Sequence, residues 1–274
     1  MQAHERRCSS GILAVAVAAM LLAGAAPALA KSRTVLILPF VAVDLGREEQ
    51  WLGESVAQSL SLALVTLPTL VQIDRQRLRQ LPQPEAWDEQ AALLAARTLR
   101  ADVTLYGEVR RVSGDLSIQP RLIELRAERA ERVALEAQPV AEAMLLDRLR
   151  ALPLAYARAL KVSVTDAEVA RLQKAAGPTA SPRAWEAYVR AQLAAARATQ
   201  EGNEAAVELL ARALETDAQF VVAQYSLGLV HQALGNRWKA AAQFRASTQQ
   251  DPTFPEPFKS LGALFLPAPR RLVD

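Results

Sequence analysis

Apolar and polar residues alternate along this chain in two distinct rhythms. Residues 34–43, TVLILPFVAV, form an almost unbroken apolar run, which predicts a buried strand closed by Pro39. After polar Asp44–Gln50, Leu52, Val56, Leu60, Ala63 and Leu67 recur at spacings of four and three, one face of a helix that Pro68 stops. LVQID at 70–74 predicts a short second strand, and Trp87–Leu99 a second amphipathic helix with Asp88 as N-cap. The period then changes to two. Val103, Leu105, Gly107 and Val109 alternate with Thr104, Tyr106, Glu108 and Arg110, and Ser113-Gly114-Asp115 reads as a hairpin turn. Leu116, Ile118, Pro120 and Leu122 continue the return arm, where Pro120 points to an edge or a bulge. A loop around Glu128–Glu131, a third arm at Val133 and Leu135, and a helical stretch over 140–160 follow. The order β-α-β-α-β-β-β-α predicts an α/β domain, a mixed sheet with packed helices, over residues 31–164.

Residues 165–182 read as a helix over Thr165–Ala176 and a linker, Gly177–Pro182, with Ser181 capping the helix that opens at Pro182. Beyond it, residues 183–274 read as all-α, and LETDAQFVVAQYSLG at 214–228 returns in pattern as TQQDPTFPEPFKSLG at 248–262. Leu193, Leu227 and Leu261 stand 34 residues apart, each followed by a small residue: Ala194, Gly228 and Gly262. Ala206 matches Ala240, Leu210 matches Phe244, Asp217-Ala218 matches Asp251-Pro252, and Phe220 matches Phe254. This period and order resemble the tetratricopeptide (TPR) repeat, which implies stacked pairs of antiparallel helices. Two complete units, 187–220 and 221–254, and a partial unit at 255–266 are expected, with Gly235-Asn236 as a turn between helices. Leu261, Leu264 and Phe265 then leave an apolar face. That face is either a cap in itself, or it meets another chain or the first domain, or the gene model is shortened.

The first domain carries its own resemblance. VLILPF at 35–40, WLGESVAQSLSLAL at 51–64, LVQIDR, and ADVTLYGEVRR at 101–111 followed by SGDLSIQPRLIEL are similar to the amino-terminal domain of the periplasmic protein TolB. The closer likeness is to the TolB-like domain that bacteria often place directly before tetratricopeptide repeats. It covers about 34–138 and implies protein interaction in the cell envelope, not a reaction. TolB's propeller finds no counterpart here, so contacts made by that propeller do not transfer.

Composition narrows the setting. Half the residues, 51%, are hydrophobic, enough for real cores, while a net charge of +3 is too small to argue for a polyanion binder. His4, Arg6 and Arg7 precede an uncharged stretch, GILAVAVAAMLLAGAAPALA at 11–30, ending in Ala28-Leu29-Ala30. That layout predicts a signal peptide over 1–30, cleaved after Ala30, and hence a periplasmic or otherwise extracytoplasmic protein; an uncleaved anchor is the competing reading. The single cysteine, Cys8, lies ahead of the apolar stretch, so the mature chain has no thiol for a disulfide or a nucleophile.

Candidate chemistry is sparse. His231 is the one histidine of the mature chain and reads as a packed core residue, and one histidine cannot build a serine–histidine triad or a histidine-rich metal site. Neither a Walker A sequence nor G-x-G-x-x-G occurs. Asp44, Glu48, Glu49 and Glu54 cluster after the first strand; a solvated loop is the expected account, a hard-cation site the rival. Arg75, Arg77 and Arg79, and Arg110 with Arg111, read as solvated faces. The repeat resemblance places Tyr188, Tyr225, Leu229, Gln232 and Lys259 along a candidate peptide groove. The family's basic clamp for acidic peptide tails is missing, because its places are taken largely by Ala191, Ala195, Tyr225 and Leu229. The expectation is therefore a non-catalytic scaffold that binds protein partners, with no cofactor, no metal and no nucleic acid. Two rivals remain: a sensor module regulating a cyclase or kinase on another chain, and an enzyme built on Asp44, Glu48 and Glu54.

Overall fold

In a computed structural model, residues 32–126 and 129–265 are described. The expected signal segment, Glu128, and Leu266 at the end of the partial unit lie outside them. These described residues form one compact unit.

The first apolar run makes two strands rather than one: β1 (Arg33–Ile37) and β2 (Val41–Val43), both parallel to β4 (Val103–Val112). Ile37 pairs with Leu105 and Val41 with Glu108, so β1–β2 advances one residue more than β4. Pro39, which has no amide hydrogen, sits in this bulge, and Phe40 N–H turns to donate to Gly53 O at 3.2 Å. The approach demands glycine at 53, where a Cβ would lie 2.0 Å from Phe40 O. The sheet runs β3–β1–β4–β5–β6, with β3 at Leu70–Gln72, β5 at Asp115–Arg126, β6 at Arg129–Ala134 and β7 (Gln138–Val140) also on β5. Pro120 therefore lies in an interior strand and not at an edge. Its carbonyl accepts from Leu135 N on the side where β5 changes partner from β6 to β7. The amide hydrogen it lacks falls in that gap.

The unbroken apolar character of β1 has a simple cause: both faces of the sheet are covered. Val35 and Ile37 enter a core formed with α1 (Trp51–Leu64) and α4 (Leu145–Ala159). Leu36 and Leu38 enter a second, smaller core against α2 (Arg75–Arg79) and α3 (Glu89–Leu99). Asp88 caps α3, its Oδ1 accepting from Ala91 N at 2.8 Å.

Helix α5 (Asp166–Ala176) opens on a Thr165–Glu168 capping box and packs on α1 and α4. The following segment is pinned rather than free: Thr179 is buried, its hydroxyl donates to Asp217 Oδ2 at 2.5 Å, and Arg150 donates to its carbonyl at 3.0 Å. Ser181 caps α6 (Pro182–Ala195), which starts five residues before the expected repeat boundary at 187. Two helix hairpins follow, α6 with α7 (Gln200–Thr216) and α8 (Val221–Ala233) with α9 (Arg237–Gln250). Helix α7 packs on α8, and α10 (Glu256–Phe265) packs on α9.

The two hairpins close in the same geometry 34 residues apart. Asp217 Oδ1 accepts from Gln219 N at 3.0 Å, and Asp251 Oδ1 from Thr253 N at 2.9 Å. Their carbonyls accept from Phe220 N and Phe254 N, both at 3.1 Å. Gly228 presses on Phe244 of the facing helix: a Cβ there would lie 2.4 Å from Cε1. In the turn before α9 only Gly235 has positive φ, at 75°, while Asn236 stays at −79°.

One core runs from the sheet into the hairpins. Val35 and Leu60 belong to the same buried cluster as Trp185, Phe220 and Val230. At its centre Trp185, fully buried on α6, donates its Nε1 hydrogen to Ser55 Oγ of α1 at 2.7 Å. Among the described residues no helix is long and apolar enough to cross a membrane.

Candidate binding clefts beside the first hairpin

Of the five residues expected along one groove, Tyr188 is drawn into the core, while Tyr225, Leu229 and Gln232 stay on α8 and Lys259 on the adjoining α10. Tyr188 is 3% exposed and sits between Trp185 and Phe220, with ring centroids 5.3 and 5.2 Å away. Burial pushes its hydroxyl up to about 12, with a hydrogen bond to Ser226 pulling the other way. It is a core residue and does not line an open groove. The periodic pattern that marked it as inward-facing is also the pattern of a helix packed against a neighbour. Tyr225 is half-buried between Phe244 and Phe254, its hydroxyl 3.2 Å from Ser260 Oγ; burial raises its pKa. Leu229 and Gln232 share an exposed face of α8, three residues apart. Lys259 stands exposed on α10, 4.0 Å from Glu256.

Two clefts form elsewhere, and Leu193 and Arg197 at the end of α6 line both. The first, about 680 Å³, lies between α6 and α7 beside the turn at Glu48. Its floor holds small or apolar side chains, Ala187, Ala194, Ala205 and Leu209. Its walls carry Arg183, Arg190, Arg197 and Arg212 against Glu48 and Glu186. Arg190 is held in place: Nε donates to Glu186 Oε1 at 2.8 Å and Nη2 to the Glu48 carbonyl at 2.5 Å. Arg183, Arg197 and Arg212 have no ion-pair partner among the described residues.

The second cleft, about 820 Å³, lies between α6, α1 and the β3–α2 corner. Glu54 lines it, buried on α1, and is gripped by Arg75 through Nη1–Oε1 at 2.5 Å and Nη2–Oε2 at 2.8 Å. Gln58 adds a donor to Oε1 at 2.8 Å. Such a fork-on-fork pair is rigid and satisfied. The amides of Gln58, Gln72, Gln83 and Gln192 add hydrogen-bonding groups to this cleft beside the charged Asp74, Arg79 and Arg197.

The acidic cluster after the first strand is pulled apart by separate partners. Glu49 holds Arg111, with Nε at 2.9 Å, and the guanidinium beside it keeps its carboxyl below the usual range. Glu48 faces Arg190, Glu54 faces Arg75, and Asp44 is exposed. Among the described residues no group of three or more His, Cys, Asp or Glu is placed to hold a metal ion. Of the basic residues read as solvated faces, Arg75 and Arg111 are committed to these carboxylates.

His231 is 8% exposed, and its Nδ1 has no hydrogen-bond partner. Burial, helped by nearby Lys239, holds its pKa below the ordinary value, so the imidazole is kept neutral. At the far end of the hairpins, Trp238 is 75% exposed against Phe265 at 6.2 Å, with the Arg237 guanidinium 5.2 Å above the Phe265 ring.

The arginine cleft was not among the expected sites. Its signal was nonetheless present: Arg183, Arg190 and Arg197 recur every seventh residue, the first two on one face of α6 and the third in the turn just past its end. No protein-family model matches the chain, and comparison with curated proteins finds no match.

Proposed function

We propose that this chain is a non-catalytic, exported interaction scaffold of the bacterial cell envelope, a TolB-like domain fused to a short tetratricopeptide array. The observation that supports the reading is the placement of two open clefts on one compact unit. Helix α6 is anchored to the sheet layer through Trp185 and Ser55, and the two clefts open on either side of its C-terminal half. Both clefts are therefore fixed relative to the exposed end around Trp238 by packed helices rather than by a flexible tether. A surface of this kind presents partners to one another; neither cleft assembles a nucleophile with a base. The repeated Asp217 and Asp251 closures and the Gly228–Phe244 contact support the repeat assignment.

The test is site-specific photo-crosslinking in living cells. A photoreactive residue is placed in the full chain at Leu229, Trp238 or Arg197, with Asp115 in the β4–β5 hairpin as reference. Discrete adducts, different at each position and absent at Asp115, are expected. A folded protein giving no adduct above the unirradiated background at any position would remove the scaffold reading. Amino-terminal sequencing of the envelope fraction tests export: cleavage after Ala30 is expected, and an intact amino terminus is the opposing result.

A further inference from the structure

Resting on the scaffold reading, we infer that the α6–α7 cleft takes a short acidic α-helix from a protein partner. Spacing is the first argument. Arg183 and Arg190 stand seven residues apart on α6, with Arg197 in the turn two residues past its end; seven residues on a helix is a spacing of about 10.5 Å. A partner helix lying along α6 presents carboxylates at the same pitch when they recur every seventh residue. An extended segment advances about 3.3 Å per residue and faces one side every second residue, so its steps of roughly 6.6 Å or 13 Å miss that pitch.

Charge is the second argument. Four arginines meet two glutamates in the cleft, and both glutamates are spent on Arg190. Arg183, Arg197 and Arg212 keep their planar donor forks free among the described residues, the geometry that accepts carboxylates in pairs.

The repeat supplies the third argument. Shifted by 34 residues, Leu193 corresponds to Leu227 and Arg197 to His231. Leu227 and His231 are each 8% exposed, since α8 is packed by α7 before it and α9 after it. Leu193 is 39% exposed, because α1, the helix that precedes α6 in space, reaches the Trp185 side and leaves this face open. The uncovered surface is thus one that a neighbouring helix covers in the next hairpin, with Ala187, Ala194 and Ala205 small enough for close approach.

The experiment is fluorescence anisotropy on the full chain. The probe is an alanine-rich synthetic helix carrying glutamate at every seventh position. Saturable binding below about 100 µM is expected, weakening by roughly tenfold in the triple variant Arg183→Gln, Arg197→Gln, Arg212→Gln. Its salt dependence should also flatten. Far-UV circular dichroism should match the parent, because none of the three holds an ion-pair partner. A peptide of equal charge with scrambled glutamates, or with a central proline, should bind roughly tenfold more weakly. The inference is overturned if the parent does not bind, if the triple variant binds equally, or if the proline peptide or inorganic polyphosphate competes as well as the helix. Loss of peptide binding with photo-crosslinks from Trp238 retained removes this inference alone. Loss of all crosslinks with peptide binding retained removes the scaffold reading instead.

Discussion

Replacing Trp185 by phenylalanine tests whether sheet and hairpins share one core. The substitution deletes the indole N–H that Ser55 Oγ accepts at 2.7 Å, and Ser55 is fully buried, so no water replaces the donor. Leaving a buried hydroxyl without a partner costs about 1–3 kcal/mol. Removing both partners, in Trp185→Phe with Ser55→Ala, takes away the stranded group, and the double variant should recover part of that loss. The coupling energy of the cycle is therefore expected at about 1–2 kcal/mol. In a unit of this size 1 kcal/mol moves the melting temperature by roughly 2–4 °C, so the single variant should melt about 2–12 °C below the parent. The assay is urea and thermal unfolding followed in parallel by far-UV circular dichroism and by a probe in each half, at Trp51 and at Trp238. Both probes should shift together, since Val35 and Val230 belong to one buried cluster. If Trp238 reports unchanged unfolding while Trp51 shifts, or if the cycle is additive, the hairpins are an independent domain and the reasoning fails.

The remaining expectations concern single contacts. Gly228→Ala drives a methyl into the Phe244 ring and should destabilise by about 1–3 kcal/mol. Gly262→Ala at the equivalent repeat position meets nothing within 4 Å, and should stabilise α10 by up to about 1 kcal/mol; equal effects at the two sites would refute the packing asymmetry. Glu54→Gln strands the Arg75 guanidinium and should cost about 2–4 kcal/mol in chemical denaturation, with Arg75→Gln beside it restoring part of the loss. The same Glu54 engagement predicts a melting temperature unchanged by EDTA; a chelator-dependent drop would revive the cation site. Tyr188, at about 12 in the folded chain and near 10 when unfolded, stays protonated longer when folded. Its contribution is complete below pH 10 and disappears as pH rises from about 10 to 12, and Tyr188→Phe should flatten that part of the stability profile. His231 has the opposite sign. Its folded pKa is depressed, so stability is present above the unfolded value near 6.5 and falls as the pH drops below it, a slope His231→Phe should remove.

Much of the fold was legible because periodicity reports burial. The alternation from Val103 to Val109 and the caps at Asp88 and Ser181 rest on local rules and stand at the expected residues. The split of the first strand was not legible. Pro39 signals an interruption, but only the β4 register shows that the chain resumes pairing after one extra residue. Pro120 left an edge or a bulge open, and only the edge fails: β5 changes partner from β6 to β7 there, with four residue steps from Ala134 to Gln138 spanning three on β5, so the missing amide hydrogen has no partner to lose. The groove residues expose the larger limit. A helix in contact on several sides carries one periodic pattern for all of them, so Tyr188, facing the core, and Leu229, facing solvent, were assigned to the same groove. Which helix covers which face is a tertiary fact.

Helix α6 shows why the two roles of the first hairpin do not conflict. Its Ala184, Trp185, Tyr188 and Val189 are sealed in the core, while Arg183, Glu186, Arg190 and Arg197 line the open cleft on another side. A helix repeats its faces every 3.6 residues, so a seven-residue step drifts by only about 20° and keeps Arg183 and Arg190 on one side, clear of the core face, while Arg197 follows in the turn after Ala195. Arg190 reaches the turn at Glu48 by donating to its carbonyl, and that contact orients the middle arginine. The buried face of α6 lies on the tryptophan side and the proposed recognition face on the arginine side, both carried by one helix. If the proposed ligand binds these arginines, it is therefore held next to the Glu48 turn of the sheet layer through Arg190.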